Sequence, residues 1–231
     1  MTEPWPREEF ERRLRQAARE RYHDKHSFNR RMHDGALAEH ELRSWVYNRF
    51  HYQRNLPVKD ALILAKLPSS EQRRAWIGRI VEQDGDGEHP GGLESWLELA
   101  LSVGLTREAT LAGDDVLPGV RFAVGAYVDF CRQREWWEGV AASLTQLEVP
   151  RLMETRLAAF ERHYDWVPST GLDYFRRRRD IEPEHADHAL EMVVAAARSR
   201  AEQERAVAAV EYKCDVLSAL LDAVETDAQT A

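Results

Sequence analysis

Over residues 118–149 the chain runs PGVRFAVGAYVDFCRQREWWEGVAASLTQLEV. Nothing in it alternates with period two, and no β-branched run favours a strand, so it divides into helices. Within 118–133, Val120, Phe122, Ala123, Val124, Ala126, Tyr127, Val128, Phe130 and Cys131 fall all round a helical circumference. Within 139–149 the residues are apolar or small, with Ser143, Thr145 and Gln146 among the few polar ones. A helix that lacks a polar face must be covered on every side, so both segments are expected in the middle of a helical bundle.

Working outward, the same periodicity predicts helices over roughly 7–20, 39–54, 57–66, 69–83, 92–103, 118–133, 136–148, 151–164, 170–179, 183–200 and 203–225. Leu67-Pro68-Ser69-Ser70 separates two of them, and Pro118, Pro150, Pro168 and Pro183 each stand near an expected start. Asp84-Gly85-Asp86-Gly87-Glu88-His89-Pro90-Gly91-Gly92 is the long loop signal of the first half. No repeat or linker interrupts the series, so residues 1–231 read as one all-α domain.

Composition narrows the function. The 231 residues are 43% hydrophobic, enough for a sizeable core. Thirty-two basic against 40 acidic residues leave a net charge of −8, which argues against nucleic acid as a partner. No apolar run is long enough to cross a bilayer, and the start MTEPWPREEFERR lacks a signal-peptide core. A cytoplasmic protein with no membrane partner is expected. Cys131 and Cys214 make no disulfide framework or zinc set, and both sit on helices that read as buried, as small hydrophobes rather than reactive thiols.

Only four of the basic residues are Lys (25, 59, 66 and 213), and 28 are Arg. Arg on solvated surfaces accounts for such a bias; an anion-binding cavity is the other reading, because guanidinium forks bind carboxylates in a bidentate manner. Helix 39–54 carries the stripe Leu42, Trp45, Val46, Arg49, Phe50 and Gln53, which turns Arg49 and Gln53 inward with the tryptophan. Trp76, Arg79, Ile80 and Gln83 repeat the pattern, Lys213 shares a face with Val210, Leu217 and Leu220, and Tyr174 stands four residues before Arg178. One inward cation is ordinarily a satisfied core group or a snorkelling side chain. Four segments that each aim a cation or amide inward point to a polar cavity suited to a ligand with several negative charges.

Metal chemistry finds little support. Glu184, His185 and His188 share one helical turn, but acids at a helix start also suit the helix dipole. No HExxH, paired CxxC, EF-hand, nucleophile elbow, phosphate loop or dinucleotide fingerprint is present.

Taken in order, Tyr22-His23-Asp-Lys-His26-Ser-Phe28, Trp45-Val-Tyr-Asn-Arg49-Phe-His-Tyr52-Gln53, Pro57-Val-Lys59-Asp60, Arg79-Ile-Val, Gly92-Leu-Glu-Ser-Trp96-Leu, Ser143-Leu-Thr145, Tyr174-Phe-Arg-Arg-Arg178 and Lys213-Cys-Asp-Val-Leu-Ser resemble the pyrroloquinoline-quinone (PQQ) synthase family, PqqC, over nearly the whole chain. The resemblance implies a haem-oxygenase-like bundle of about seven helices, ordinarily a homodimer. It implies ring closure and oxidation of a polycarboxylated aminoquinone precursor by O₂, releasing hydrogen peroxide, with O₂ as co-substrate and no metal or organic cofactor. By the same resemblance, Arg49, Gln53, Lys59, Arg79 and Lys213 hold carboxylates and quinone oxygens, with Tyr22 and His23 beside them. Tyr174 and Arg178 face the oxygen pocket, and Tyr127 and Thr145 line the floor.

Three positions depart from the family pattern. Gln83 stands where the family has its general-base histidine, Gln146 where it has a glutamate, and Met153 where some members have a second histidine. An amide takes no proton at neutral pH, whereas an imidazole is poised to do so. Two readings follow: His23 or Tyr174 takes over the proton through water, or the chain is a divergent paralogue that binds such an acid or acts on another aromatic. A di-iron oxidase of the same fold would need ligands at Gln146, Tyr174 and Arg178, and an arginine stays protonated. A thiamine-degrading relative would need a reactive thiol, for which Cys131 is a poor candidate.

Overall fold

The computed structural model describes residues 2–230, leaving aside the side chains of 182, 183, 229 and 230. Among the described residues there are eleven α-helices, three short 3₁₀ turns and no strand. They are α1 (Arg7–Arg21), α2 (Ser27–His33), α3 (Glu39–Leu64), α4 (Ser70–Asp84), α5 (Gly92–Ser102), α6 (Arg107–Ala112), α7 (Pro118–Gln133), α8 (Trp136–Ala142), α9 (Val149–His163), α10 (Asp173–Ala196) and α11 (Arg200–Thr230). The 3₁₀ turns cover His23–Lys25, Ser143–Glu148 and Ser169–Leu172.

The all-helical expectation stands, but the number of helices exceeds seven. Helices α2 and α6, of seven and six residues, are too short to print a periodic stripe on the sequence. The helices expected over 39–54 and 57–66 are one element, because α3 passes straight through Pro57. A proline inside a helix removes a hydrogen bond and costs about 3 kcal/mol. Here Leu56, Pro57, Lys59, Asp60 and Ile63 are all buried and prolong the face begun by Trp45, Arg49 and Gln53, and burial on that scale offsets the loss. The helices expected over 170–179 and 183–200 likewise merge into α10, while the side chain of Pro183 lies outside the described residues.

The buried apolar residues form one continuous cluster. Helix α3 packs on α4, α5, α7 and α11; α10 lies against α5, α8 and α9; and α11 closes the bundle over α1, α7 and α8. The segment from Trp137 to Thr145 is buried throughout, as its lack of a polar face requires. Gly139 lets α8 approach α3 closely, since a Cβ there would meet Ile63 Cγ1 at 2.9 Å.

Helix α7 does not share that central position. Val120, Ala123, Val124, Tyr127, Val128 and Cys131 face the core, but Phe122 is 80% exposed, and Gly125 and Ala126 are exposed with it. Its outer face is open and mixed, with Phe122, Gly125 and Ala126 beside the exposed Arg121, Asp129, Arg132 and Gln133, so a run of apolar residues round a helix does not mean a covered one.

Candidate active site

The long inward face of α3 presents Arg49, Tyr52, Gln53, Leu56 and Lys59 to one cavity of about 50 Å³. The remaining walls come from six other places. Tyr22 and His23 leave the end of α1, where the backbone turns extended; Tyr127 comes from α7; and Ser143, Thr145 and Gln146 come from the 3₁₀ turn after α8. Helix α9 adds Met153 and Arg156, α10 adds Tyr174 and Arg178, and α11 adds Lys213. Twelve of the fourteen residues expected from the sequence line this cavity, and both exceptions, Arg79 and Gln83, belong to α4.

Arg79 is buried behind the wall, its guanidinium 4.2 Å from the Trp76 ring centroid. It donates to the Gln146 side chain and to the His185 carbonyl, so Gln146 links it to the cavity. Gln83 is also buried, but its side chain packs on the start of α5. A Cβ at Gly92 would lie 2.8 Å from Gln83 Oε1, so the glycine makes room for that amide. The neighbouring Glu82 reaches α10, where its Oε2 accepts from Arg178 at 2.9 Å and from Gln83 Nε2 at 3.2 Å.

The cations of the cavity fall into two groups. Lys59 donates to Asp60 Oδ1 at 2.6 Å and Ser143 Oγ at 2.9 Å, and Arg178 has Glu82, so each has a carboxylate of its own. Arg49, Arg156 and Lys213 are buried, and among the described residues no carboxylate lies within ion-pair distance of them. Arg49 stacks 4.2 Å from the Tyr52 ring centroid, and its Nε and one terminal nitrogen have no hydrogen-bond partner. Lys213 Nζ lies 3.4 Å from the Tyr127 centroid and 4.2 Å from that of Tyr52, again with no hydrogen-bond partner. Burial, then Arg49 and Lys59, hold its ammonium well below the ordinary lysine range. Tyrosine faces soften the cost of such charges but do not cancel it.

Arg156 escaped the sequence reading, although the same rule would have found it. It stands four residues after Leu152 and four before Phe160 on the buried side of α9. Its guanidinium lies 5.0 Å from the Trp45 centroid and donates to Asn29 Oδ1 at 3.0 Å. Burial, reinforced by Arg49, pulls it down to about 9, so it is still charged at neutral pH. His23 is buried with both ring nitrogens unpartnered, and burial followed by Arg49, Arg156 and Lys213 holds its imidazole well below the usual range. It is therefore neutral, with a nitrogen open to a proton. Tyr174 donates to Gln53 Oε1 at 2.9 Å, and burial pushes the Tyr127 phenol well above its ordinary value.

Four of the arginines, at 49, 79, 156 and 178, are buried among the described residues, all in or beside this cavity, while many others pair with surface acids, as Arg12 does with Glu9. Burial pushes the Cys131 and Cys214 thiols up to about 11 and about 12, which suits small core residues. His185 is held down at about 4, first by burial and then by Arg79 and Arg178. Among the described residues no group of three or more His, Cys, Asp or Glu side chains is placed to share a metal ion, and no helix is long and apolar enough to cross a membrane.

Comparison with known proteins adds to this geometry. The model of the TENA/THI-4/PQQC family matches residues 11–223. The chain is similar to the pyrroloquinoline-quinone synthase of Pseudomonas aeruginosa, at 45% identity over 218 residues, covering 94% of this chain and 87% of that one. The pyrroloquinoline-quinone synthase of Ectopseudomonas mendocina is also 45% identical, over 216 residues, 94% of this chain and 86% of its own. Among solved structures, a domain with a heme oxygenase-like fold from Shewanella denitrificans superposes with a TM-score of 0.79 at 17% identity, covering 97% of this chain and 94% of that chain. At that identity the likeness establishes the fold, which is haem-oxygenase-like.

Proposed function

The chain belongs to the TENA/THI-4/PQQC family, and on that footing we propose that it is an oxidase of the PQQ-synthase kind. It closes and oxidises the ring of a polycarboxylated aminoquinone precursor at the expense of O₂. The observation that carries this reading is the set of three buried basic side chains, Arg49, Arg156 and Lys213, that meet in one cavity without a carboxylate of their own. Buried charges without counter-ions are costly, and a polyanionic ligand repays that cost.

In this reading Arg49, Arg156, Lys213, Lys59 and Gln53 hold the carboxylates and quinone oxygens, and Arg79 acts through Gln146. Tyr22, Tyr127, Thr145 and Met153 shape the walls. Tyr174 and Arg178 face the oxygen, where a phenol and a cation steady developing negative charge. His23 takes the proton that Gln83 cannot, since it is neutral and open on both nitrogens. The precursor gives up electrons in pairs, and each pair with two protons reduces one O₂ to H₂O₂. The reading assigns O₂ as co-substrate and no resident metal or organic cofactor.

A specific observation favours a second reading. Gln83 replaces a histidine and turns its amide toward Gly92, outside the cavity lining. A chain that binds the precursor without turning it over would look the same there. Anaerobic mixing with the precursor, followed by air, separates the two. An oxidase shifts the precursor spectrum on binding and then converts it with release of peroxide. A binder gives the first change and no second. No change at either stage rejects both.

The same proposal extends to assembly and place. Residues 1–231 act as one domain, in keeping with the single hydrophobic cluster. The partner is a second copy, docked on the outer face of α7 around the exposed Phe122, so Phe122→Glu converts the dimer to monomer in light scattering. A cytoplasmic setting suits the two free, buried cysteines.

A further inference from the structure

The cavity treats its basic side chains unequally, and Arg156 differs from the other two that lack a carboxylate in being met by an amide. Lys59 is answered by Asp60 and Arg178 by Glu82, each a carboxylate at salt-bridge distance. Arg156 is answered by an amide, Asn29 Oδ1, at 3.0 Å. Asn29 is fully buried on α2 and is held by two bonds that fix its orientation. Its Nδ2 donates to the His23 carbonyl at 2.7 Å, which leaves Oδ1 toward the guanidinium. One side chain thus ties the turn that carries His23 to the helix that carries Arg156.

We propose that Asn29 is a positioning and specificity-determining residue: by meeting Arg156 with a neutral acceptor, it leaves that guanidinium's charge for a carboxylate of the ligand and so helps set how many negative charges the cavity accepts. The inference rests on the reading of the cavity as a polyanion site and deepens it. An aspartate at 29 has the same shape and accepts the same hydrogen bond, yet it neutralises Arg156 before any ligand arrives. With asparagine, Arg156 joins Arg49 and Lys213 as cations whose counter-ions must come from outside. The ligand this selects is a rigid aromatic acid with at least three carboxylates, in preference to a monoacid or diacid.

Three probes test the idea: benzoate, isophthalate and benzene-1,3,5-tricarboxylate, titrated calorimetrically at fixed ionic strength. The wild-type protein prefers the triacid. Asn29→Asp weakens the triacid by roughly 10–100-fold, the scale of one charge-assisted hydrogen bond, and changes benzoate by less than about 3-fold. Asn29→Ser loses the tether to His23 without adding charge, and it keeps the preference for the triacid. A purely structural role makes the Asp and Ser variants alike on all three probes, which overturns the proposal; so does an Asp variant that binds the triacid as the wild type does.

If Asn29→Asp fails to fold, Arg156→Gln takes its place beside Asn29→Ser. The first must then lose the triacid preference and the second keep it, and equal losses overturn the proposal. The PQQ precursor is titrated in parallel. A wild-type protein that ignores the precursor while the triacid pattern holds sinks the enzyme assignment alone. Conversion of the precursor with no triacid pattern sinks the role of Asn29 alone.

Discussion

Replacing Lys213 with methionine should make the empty protein more stable and the ligand-bound protein weaker. The side chain is 1% exposed and its Nζ has no hydrogen-bond partner. Removing an ammonium from water costs several kcal/mol, of which contacts with two tyrosine faces return about 0.5–2 kcal/mol each. Those contacts are 3.4 Å from the Tyr127 centroid and 4.2 Å from that of Tyr52. Methionine has similar length and packs well on aromatic rings, so the exchange leaves a net gain of about 1–2 kcal/mol. For a chain of this size that gain raises Tm by roughly 2–8 °C.

Ligand binding moves the other way, because a charge-assisted hydrogen bond worth ~1.5–3 kcal/mol is lost, or about 10–150-fold in Kd. Differential scanning calorimetry with and without PQQ reads both numbers. The pH dependence supplies a check on cause. The folded-state pKa of Lys213 lies below its ordinary value of 10.5, so the unfolded chain binds the extra proton and wild-type stability rises with pH up to that value. The advantage of the methionine variant must therefore shrink as pH is raised toward 10.5. A variant less stable than wild type by more than about 1 kcal/mol, with PQQ binding intact, would falsify the view that Lys213 is held in reserve for an anion.

Other expectations are sharper in direction than in size. Gly91→Ala drives a Cβ into the Gln83 carbonyl oxygen and the Gly85 amide nitrogen, both backbone atoms, and should lower stability by about 1–3 kcal/mol in a urea titration; an unchanged midpoint would mean that α4 and α5 do not meet there. Below pH 6.5 stability should fall, because His23, His33 and His185 have folded-state values under their unfolded one, with His33 and His185 at about 4, and the unfolded chain takes up the protons. The loss should run from about pH 6.5 toward pH 4, and a flat Tm across that window would contradict it. Cys131 and Cys214, held at about 11 and about 12, should resist a thiol reagent at pH 8 until the protein is denatured; rapid labelling of the native protein would show an open thiol.

Much of the site was legible because its residues obey helical spacing on faces that must be buried. Arg49 and Gln53 follow Trp45, and that pattern placed both in the cavity wall. Arg79 and Gln83 follow Trp76 in the same way and are equally buried, yet they stop behind the wall. Spacing tells which side of a helix is covered and not what covers it. Arg156 obeyed the rule and was passed over because its segment shows no tryptophan to draw attention to the stripe. Asn29 was beyond reach, since α2 is too short for a period and an asparagine's partners come from distant segments. Helix α7 shows the opposite failure. Its apolar residues suggested a central position, while Phe122, Gly125 and Ala126 in fact face outward together with Arg121, Asp129 and Arg132.

The most direct test of the anion-cavity account is a crystal structure of the protein grown with PQQ. The account predicts the ligand inside the bundle, with Arg49, Arg156 and Lys213 each donating to one of its oxygens at about 2.7–3.2 Å. The bond from Arg156 to Asn29 should be intact beside it. PQQ found only on the outer surface, or seated in the cavity with those three cations still lacking an anionic partner, would contradict it.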